Sequence, residues 1–174
     1  MQHFQVGQGV ITGKNAKIGK DVIIWNYVVI GDDVEIGDGT KIGSFTDIGK
    51  GVKIGKNCVI QAHVTISNGC KIEDDVFIGP NVTLLNDRYP VSHKLRPVII
   101  ASKAIIGGGV IVMPDVHIGE NSFVAGASVV TKDVPANMAC KGLPARPYEQ
   151  KVEFDIKKKR YETGPSKTRR VSIS

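Results

Sequence analysis

The chain is 174 residues long with a formal net charge of +6, and hydrophobic residues make up 41% of it while aromatic residues make up 6%. This length fits a single folded domain. No apolar run is long enough to cross a bilayer, and the N-terminal sequence MQHFQVGQG lacks the basic and apolar segments of a secretion signal. We therefore expect a cytoplasmic protein with no membrane partner.

Large aliphatic residues recur at every sixth position between Ile18 and Leu84. A small or β-branched residue lies two positions before each of them, as Val22 does before Ile24, and glycine directly follows most of them. Side chains two positions apart on a strand share a face, so each hexad predicts a short strand. Glycine tolerates the backbone angles that a corner requires. The repeat therefore predicts a β-solenoid whose coils pack on one another, and its period excludes amphipathic helices.

The repeat is interrupted after Leu84 and resumes at Ile106, which lies 22 residues further along the chain. Because 22 is not a multiple of six, residues 85–103 are predicted to form, for the most part, an extruded loop. Insertions in repeat proteins project from one face and often carry the binding function, although a tolerated surface insertion is the simpler alternative. If the loop contains no whole strand, Ile118 will stack above Leu84.

The C-terminal residues 149–174 lie outside the repeat and include the basic run KKKR at 157–160. The run lacks interleaved aromatic residues, so a solvated tail is a better interpretation than a nucleic-acid contact. We therefore divide the chain into a β-helix domain, 1–148, and a basic tail, 149–174. Cys58 and Cys70 occupy small inward positions of the hexads, which predicts packing and not catalysis or metal binding.

The hexads resemble those of the hexapeptide-repeat acyltransferases. The resemblance implies an all-β fold, a left-handed parallel β-helix with three hexads in each triangular coil, whereas the periodicity alone indicates only a stacked solenoid. The stretch GASVVTKDVP at 126–135, followed by KGLPARP at 141–147, is similar to the closing segment of many of these enzymes and implies acetyl-CoA as the co-substrate. The resemblance extends from residue 6 to about residue 148.

Two shorter segments, EDDVFIGPNV at 73–82 and NDRYP at 86–90, resemble a narrower group, the nucleotide-linked amino-sugar N-acetyltransferases. This resemblance implies acetyl transfer to the amino group of a dTDP- or UDP-linked sugar, in the biosynthesis of a glycan or surface polysaccharide. It also implies a homotrimer with active sites between subunits, no catalytic metal and no nucleic-acid partner.

The same resemblance implies site residues in and beside the loop. Asn86 would orient the amine through its side-chain carbonyl, and Asp87 would accept the proton of the amine or hold its ammonium form. Glu73, Arg88 and Tyr89 are the candidate sugar-binding residues. An ordinary Asx turn ahead of a proline is the alternative interpretation of the Asn-Asp pair.

His63 and His117 are further candidates for the catalytic base. Three hexads per coil place His63 one strand away from Asn86. One side of the triangle is roughly 15 to 20 Å long, so His63 would serve the active site of a neighbouring subunit. His117 is predicted to point outward, and a solvated surface histidine is the alternative interpretation of both residues.

Coenzyme A is expected to lie along the C-terminal coils. The backbone N–H groups that would bind its pantetheine carbonyls are those of Gly107, Gly108, Ala125 and Gly126. The cations that would bind its phosphates are Lys132, Lys141 and Arg146.

Three other functions are compatible with the repeat. An O-acetyltransferase acting on a simple sugar or a xenobiotic would share the fold, but related enzymes of that kind have a histidine in the loop where this chain has Asp87. A non-catalytic β-helix scaffold would need neither the polar loop nor the closing segment. A zinc carbonic anhydrase of the same fold class would need three converging histidines, and no two of the four histidines here lie within one hexad of each other.

Overall fold

The computed structural model describes residues 4–91 and 94–163, which form a parallel β-solenoid followed by a hairpin and a helix. The elements are β1 (Gln5–Val6), β2 (Ile11–Thr12), β3 (Lys17–Ile18), β4 (Ile23–Ile24), β5 (Val29–Ile30), β6 (Glu35–Ile36), β7 (Lys41–Ile42), β8 (Asp47–Ile48), β9 (Lys53–Ile54), β10 (Val59–Ile60), β11 (Thr65–Ile66), β12 (Lys71–Ile72), β13 (Phe77–Ile78), β14 (Thr83–Leu84), β15 (Ile99–Ile100), β16 (Ile105–Ile106), β17 (Ile111–Val112), β18 (His117–Ile118), β19 (Phe123–Val124), β20 (Val129–Val130), β21 (Met138–Gly142), β22 (Ala145–Gln150) and α1 (Lys151–Thr163).

The solenoid has three sides, because each strand from β1 to β17 pairs in parallel with the strand three positions later in the chain. Sheet A contains β1, β4, β7, β10, β13, β16, β19, β21 and β22, sheet B contains β2, β5, β8, β11, β14, β17 and β20, and sheet C contains β3, β6, β9, β12, β15 and β18. The prediction of an all-β helix with three hexads per coil is confirmed. The arrangement is consistent with the left-handed form that the resemblance implies.

The core is a stack of the aliphatic hexad positions. Ile60 is paired in register with Ile42 on one side and Ile78 on the other, and all three are fully buried. Cys58 and Cys70 are also fully buried at the small inward positions, which confirms their predicted packing role. Burying one Ile side chain stabilises the fold by about 1.5 to 3 kcal/mol, so the repeated register supplies much of the stability.

Short turns join the three sheets, and we name them by the sheets that they connect. The A–B corner comprises residues 7–10, 25–28, 43–46, 61–64, 79–82, 107–110 and 125–128, and the C–A corner comprises 19–22, 37–40, 55–58, 73–76, 101–104 and 119–122. The B–C corner comprises 13–16, 31–34, 49–52, 67–70, 113–116 and 131–134, together with the longer inserted segment, of which 85–91 and 94–98 are described.

The glycine that follows most of the aliphatic hexad residues is required for a different reason from the one that the sequence suggests. These glycines do not have a positive φ; the left-handed residue lies two positions further on, as in Phe45 and His63, whose φ angles are 60° and 59°. What excludes a side chain at Gly43 is the next coil, because a Cβ there would lie 2.5 Å from the backbone nitrogen of Ala62. The first corner glycine therefore permits close stacking of coils.

The inserted loop is shorter than predicted. Ile99 and Ile100 form β15, which pairs with β12 through Ile100 and Ile72, so the predicted loop of 85–103 contains a whole strand. The expected stacking of Ile118 above Leu84 is therefore wrong. Ile118 pairs with Ile100, whereas Leu84 pairs with Val112.

The C-terminal segment caps the solenoid. The strands β21 and β22 form an antiparallel hairpin that extends sheet A, and α1 follows directly. The Phe154 ring of α1 stacks on Phe123 of β19 at 4.0 Å between centroids, and Lys151 is buried with its Nζ 2.6 Å from Asp155. The predicted tail of 149–174 thus begins within β22 and continues as a packed helix, and residues 164–174 lie outside the described part. No helical segment in that part has the length and apolar character of a bilayer span.

Candidate active site

The inserted loop leaves the solenoid at Asn86, on the B–C corner, and hydrogen bonds close its base. The backbone N–H of Arg96 donates to the carbonyl of Asn86 at 2.7 Å. Nδ2 of Asn86 donates to the carbonyl of Asn68, one coil below, at 3.1 Å. Asn86 is therefore held both by the returning end of the loop and by the solenoid.

The Asn86 amide is oriented differently from the equivalent side chains of other coils. At the same corner position, Asp32 and Asn68 use Oδ1 to accept the backbone N–H of the residue one coil below, at 2.7 and 2.9 Å. Asn86 contacts the coil below through its nitrogen instead. Its Oδ1 is consequently turned away from this contact, and no donor to it occurs within residues 4–91 and 94–163. This oxygen can accept a hydrogen bond from a ligand.

Asp87 forms an Asx turn inside the loop, which is the structure that the alternative interpretation of the Asn-Asp pair predicts. Its Oδ1 accepts the backbone N–H of Tyr89 at 3.0 Å. The turn fixes the position of the carboxylate and is compatible with a role in chemistry. Arg88 and Tyr89 have exposed side chains, so four of the predicted site residues, counting Asn86, lie together in one short segment.

An ion pair at the end of the loop was not among the predicted site residues. Nη1 of Arg96 lies 2.8 Å from Oδ2 of Asp115, and the backbone N–H of Asp115 donates to the carbonyl of Arg96 at 2.9 Å. We call these contacts between Arg96 and Asp115 the loop clamp. Together with the bond from Arg96 to Asn86, the clamp fixes the start of the loop against the coil above it. The two residues are 19 positions apart in sequence, so no local pattern signals their contact.

His63 lies on the A–B corner at the end of an aromatic stack. Its ring lies 4.9 Å from that of Phe45, which in turn lies 5.2 Å from that of Tyr27. The positive φ of His63 is shared by the equivalent residues of neighbouring coils, so it is a property of the corner and not a sign of function. Asn86 is on the B–C corner, and one chain does not bring the two residues together.

His117 lies on the outer face of sheet C and is exposed, as predicted. Its backbone N–H donates to Oδ1 of Asp133 at 2.8 Å. Glu73 lies on the C–A corner, where its Oε2 accepts both the backbone N–H and the hydroxyl of Ser102, each at 2.9 Å. Neither His117 nor Glu73 is placed on the corner that holds Asn86.

The four backbone positions proposed for pantetheine line up on the A–B corner, but only two of their N–H groups remain available. Gly107 donates to the carbonyl of Val124 at 2.8 Å and Ala125 to that of Cys140 at 2.9 Å, so the expectation of an available N–H at these two positions is wrong. The first corner residue continues the β-ladder, which uses its N–H. No acceptor for Gly108 or Gly126 is found in the described part of the chain.

The predicted phosphate-binding cations lie at the C-terminal end of the solenoid. Lys132 and Arg146 line one surface pocket with Asp133, Val134, Cys140, Ala145 and Pro147. Lys141 lies apart from them, with its Nζ 4.4 Å from the centre of the Tyr148 ring. Burial, with Glu149 alongside, raises the pKa of the Tyr148 phenol, so Tyr148 stays neutral beside this lysine.

The buried thiols have no features of reactive groups. Burial raises the pKa of Cys58 and of Cys70 to about 11, and only the thiolate is a nucleophile or metal ligand. Among residues 4–91 and 94–163, no three His, Cys, Asp or Glu side chains are placed to hold a metal ion. Within the described residues, neither the thiols nor a metal cluster therefore adds to the candidate site.

Comparison with known proteins bears on the repeat itself. Two overlapping segments, residues 15–50 and 33–68, match the family described as bacterial transferase hexapeptide (six repeats). Residues 15–68 therefore match transferase hexapeptide repeats. These matches lie in the N-terminal coils, before the inserted loop, and the register that they define continues through β20.

Three relatives of this hexapeptide chain are informative. Galactoside O-acetyltransferase of Escherichia coli is 42% identical over 83 residues, which cover 43% of this chain and 41% of that protein. A tetrahydropyridine-dicarboxylate N-acetyltransferase of Staphylococcus aureus is 33% identical over 49% of this chain and 35% of that protein. The chain thus spans less than half the length of these relatives. A hexapeptide-repeat acetyltransferase of Vibrio cholerae, solved with acetyl coenzyme A, is 28% identical over 64% of this chain and 70% of that chain, with a TM-score of 0.52.

Proposed function

We propose that the protein is an acetyl-CoA-dependent N-acetyltransferase whose acceptor is the amino group of a dTDP- or UDP-linked sugar. The observation that carries the proposal is the orientation of Asn86, whose Oδ1 is turned away from the coil below while its Nδ2 holds the carbonyl of Asn68. Acetyl transfer is supported by the repeats, by acetyltransferase relatives with both nitrogen and oxygen acceptors, and by the Vibrio cholerae relative solved with acetyl coenzyme A. A role in glycan or surface polysaccharide biosynthesis follows from this acceptor class.

The chemistry assigns one task to each loop residue. Oδ1 of Asn86 accepts an N–H of the neutral amine and directs its lone pair toward the acetyl carbon. The amine nitrogen bonds to that carbon as the carbon–sulfur bond breaks, and the proton of the nitrogen passes to Asp87 or to the departing thiolate. A thioester is already reactive, so holding the amine in line contributes much of the rate. Arg88 and Tyr89 contact the sugar or its nucleotide.

We propose that coenzyme A and the second half of the site lie on the A–B corner and that sites form between subunits of a homotrimer. Within one chain, the A–B and B–C corners are separated by the width of sheet B. A neighbour's A–B corner would bring His63 and the N–H groups of Gly108 and Gly126 to the loop. The same corner exposes Trp25 and Tyr27, and exposed aromatic surface of this kind is typical of protein contacts. His117 is the second candidate for a histidine supplied across the interface.

The coenzyme A phosphates are assigned to the basic residues at the C-terminal end. Lys132 and Arg146 share a pocket, and the planar guanidinium of arginine can bind two phosphate oxygens while lysine acts as a point charge. Lys141 is on the hairpin that caps the same end of the solenoid. We propose that the pantetheine chain runs along the A–B corner toward these cations.

An O-acetyltransferase is the second candidate, and the 42% identity to a galactoside O-acetyltransferase favours it. A hydroxyl acceptor loses its proton less readily than an ammonium ion and needs a stronger base. The loop has a carboxylate at Asp87 where related hydroxyl acetyltransferases have a histidine, and a carboxylate is the weaker base. This difference favours an amine acceptor.

A thiol-release assay tests the proposal. The panel pairs each dTDP- and UDP-amino sugar with the sugar that carries a hydroxyl in place of the amine, and it adds simple galactosides. We expect thiol release with the amino sugars, and mass spectrometry should locate the acetyl group on nitrogen. Asn86→Ala should lose turnover.

Asp38→Ala is the matched control, because it removes a corner side chain that accepts the N–H of Lys20 at 2.8 Å on the C–A corner. Release only with hydroxyl acceptors establishes the second candidate, and no binding of coenzyme A in calorimetry indicates a scaffold.

A further inference from the structure

A shallow pocket lies on the outer face of sheet B, directly below the base of the loop. It is lined by Asp47, Gly49, Thr65, Ile66, Ser67, Asn68 and Asn86. These residues come from successive coils, and Asn86 forms the upper rim. A ligand held by Asn86 would therefore extend over the outward side chains of sheet B.

Asp47 is distinctive among the outward residues of sheet B. Its neighbours in register are Val29 on one side and Thr65 on the other, and Thr65 is followed by Thr83. On sheet C the outward carboxylate of Glu35 is paired with lysines, with distances of 3.3 Å to Lys17 and 3.6 Å to Lys53. Asp47 has no such cation within the described residues. Its carboxylate is the charged group of an otherwise neutral column.

The pocket offers hydrogen-bond acceptors and little positive charge. The carboxylate of Asp47 lies in the same pocket as the hydroxyls of Thr65 and Ser67. A hydrogen bond from a ligand hydroxyl to a carboxylate is stronger than one between two neutral groups. The same carboxylate repels an anionic group of the ligand. Gly49 faces the next coil, where a Cβ would lie 2.4 Å from Oδ1 of Asn68, so this glycine permits the close approach of the two corner segments that border the pocket. The pocket thus fits a ligand rich in hydroxyl groups.

The position of Asp47 relative to the loop gives the reach of this ligand. Asp47 lies two strands below Thr83, which is about 10 Å at the usual inter-strand spacing. Asn86 follows the strand of Thr83 on the B–C corner, so its backbone is at least this far from that of Asp47. An acceptor whose amine lies at Asn86 would place a different part of its structure at Asp47. That part would be remote from the reacting nitrogen, so Asp47 would determine which acceptors bind and not how the acetyl group is transferred.

We propose that Asp47, together with Thr65 and Ser67, forms a subsite for the neutral, hydroxylated part of the acceptor sugar and selects against an anionic group at that position. This inference rests on the proposed function for the identity of the acceptor. It adds a specificity-determining residue outside the loop, and it predicts that neutral hexosamine derivatives bind better than the corresponding uronic acids.

Calorimetry on the full chain without acetyl-CoA tests the subsite, with a nucleotide-linked amino sugar and its uronic acid counterpart as probes. We expect the neutral sugar to bind at least about tenfold more tightly than the uronic acid, the size of one charge-assisted contact. Asp47→Asn should bring the ratio of the two dissociation constants close to one. Glu35→Gln, which removes an outward carboxylate from sheet C, should leave the ratio unchanged.

The outcomes separate the subsite from the proposed function. A ratio that is the same in Asp47→Asn and the wild type overturns the subsite, as does tighter binding of the uronic acid or binding of neither sugar. If the ratio changes as expected but no thiol is released from acetyl-CoA with any acceptor, the subsite is supported and the proposed function is overturned. If thiol is released but the ratio does not depend on Asp47, only the subsite is overturned.

Discussion

Replacing Arg96 with alanine separates the positioning of Asn86 from the stability of the solenoid. The Arg96 and Asp115 side chains are 43% and 49% exposed, although Nη1 and Oδ2 are 2.8 Å apart. An ion pair this exposed contributes about 0.2 to 1 kcal/mol to stability. The backbone bonds of residue 96 to Asn86 and Asp115 do not require the guanidinium. We therefore expect Arg96→Ala to lower the free energy of unfolding by less than about 1 kcal/mol.

The effect of Arg96→Ala on turnover should be larger. A displacement of about 1 Å in a positioning group can cost 100-fold in rate, so we expect kcat/KM to fall by about 10- to 100-fold, or about 1.4 to 2.7 kcal/mol of transition-state free energy. Arg96→Lys keeps the charge and should restore part of this loss. Lys103→Ala is the control, because it removes a comparable exposed pair with Glu120, 3.6 Å apart on another corner.

Denaturant titrations and thiol-release kinetics on the same preparations measure both effects. A loss of stability above about 2 kcal/mol with a parallel loss of turnover would make the clamp a general stabilising contact. Unchanged turnover in Arg96→Ala would show that the clamp does not position Asn86.

Three further predictions concern the scaffold. Ile48→Ala should lower the free energy of unfolding by about 2 to 5 kcal/mol, whereas replacing the exposed Lys50 with alanine should lower it by about 0.5 kcal/mol or less. Equal denaturation midpoints for the two variants would show that the inward and outward faces of the hexads are misassigned. Gly43→Ala should be more destabilising than Gly51→Asn. A Cβ at Gly43 would lie 2.5 Å from the backbone of the next coil, whereas Gly51 has a φ of +69°, which asparagine tolerates, and open space around it. If thermal unfolding ranks the two variants in the opposite order, close coil stacking is not the reason for the glycine at position 43. The pKa of Cys58 is raised from 9.0 to about 11, so between those pH values the unfolded thiol ionises while the folded one does not, and stability should fall as pH rises. Cys58→Val should lessen that decline in pH-dependent unfolding, and an identical decline would contradict the assignment.

The hexad register is sufficient to predict a stacked β-solenoid, while the three-sided coil is what the family resemblance implies. Inward side chains spaced two apart and repeated every six residues are compatible with short strands and not with helices. The strand at Ile99–Ile100 is out of phase with the register extended forward from Leu84. Counting back six residues from Ile106 reaches Ile100, with the buried Val98 two positions before it, so the signal was present.

Other features depended on distances that the sequence does not contain. A corner glycine can be required by a positive φ or by a close neighbour, and only the separation between coils distinguishes the two reasons at Gly43. The N–H of Gly107 is used by the β-ladder because Gly107 is a first corner residue, whereas that of Gly108 is not. The contact between Arg96 and Asp115 depends on the path of the loop, which has no repeat to constrain it. The loop motif predicts roles for Asn86 and Asp87, and the structure places both residues at the start of the loop.

The pH dependence of turnover in Asp87→Asn tests the central claim most directly, namely that Asp87 at the base of the loop takes the proton of an amine acceptor. Asparagine keeps an oxygen that can accept the Tyr89 N–H, now 3.0 Å from Oδ1, so the turn is preserved while the charge and basicity are lost. We expect turnover with the amino sugar to fall by about 10² to 10⁴ at neutral pH, the range of general base catalysis. The loss should shrink as pH rises, because more of the amine is then already neutral. Full activity of Asp87→Asn at neutral pH would contradict this claim, and the departing thiolate would then be the proton acceptor.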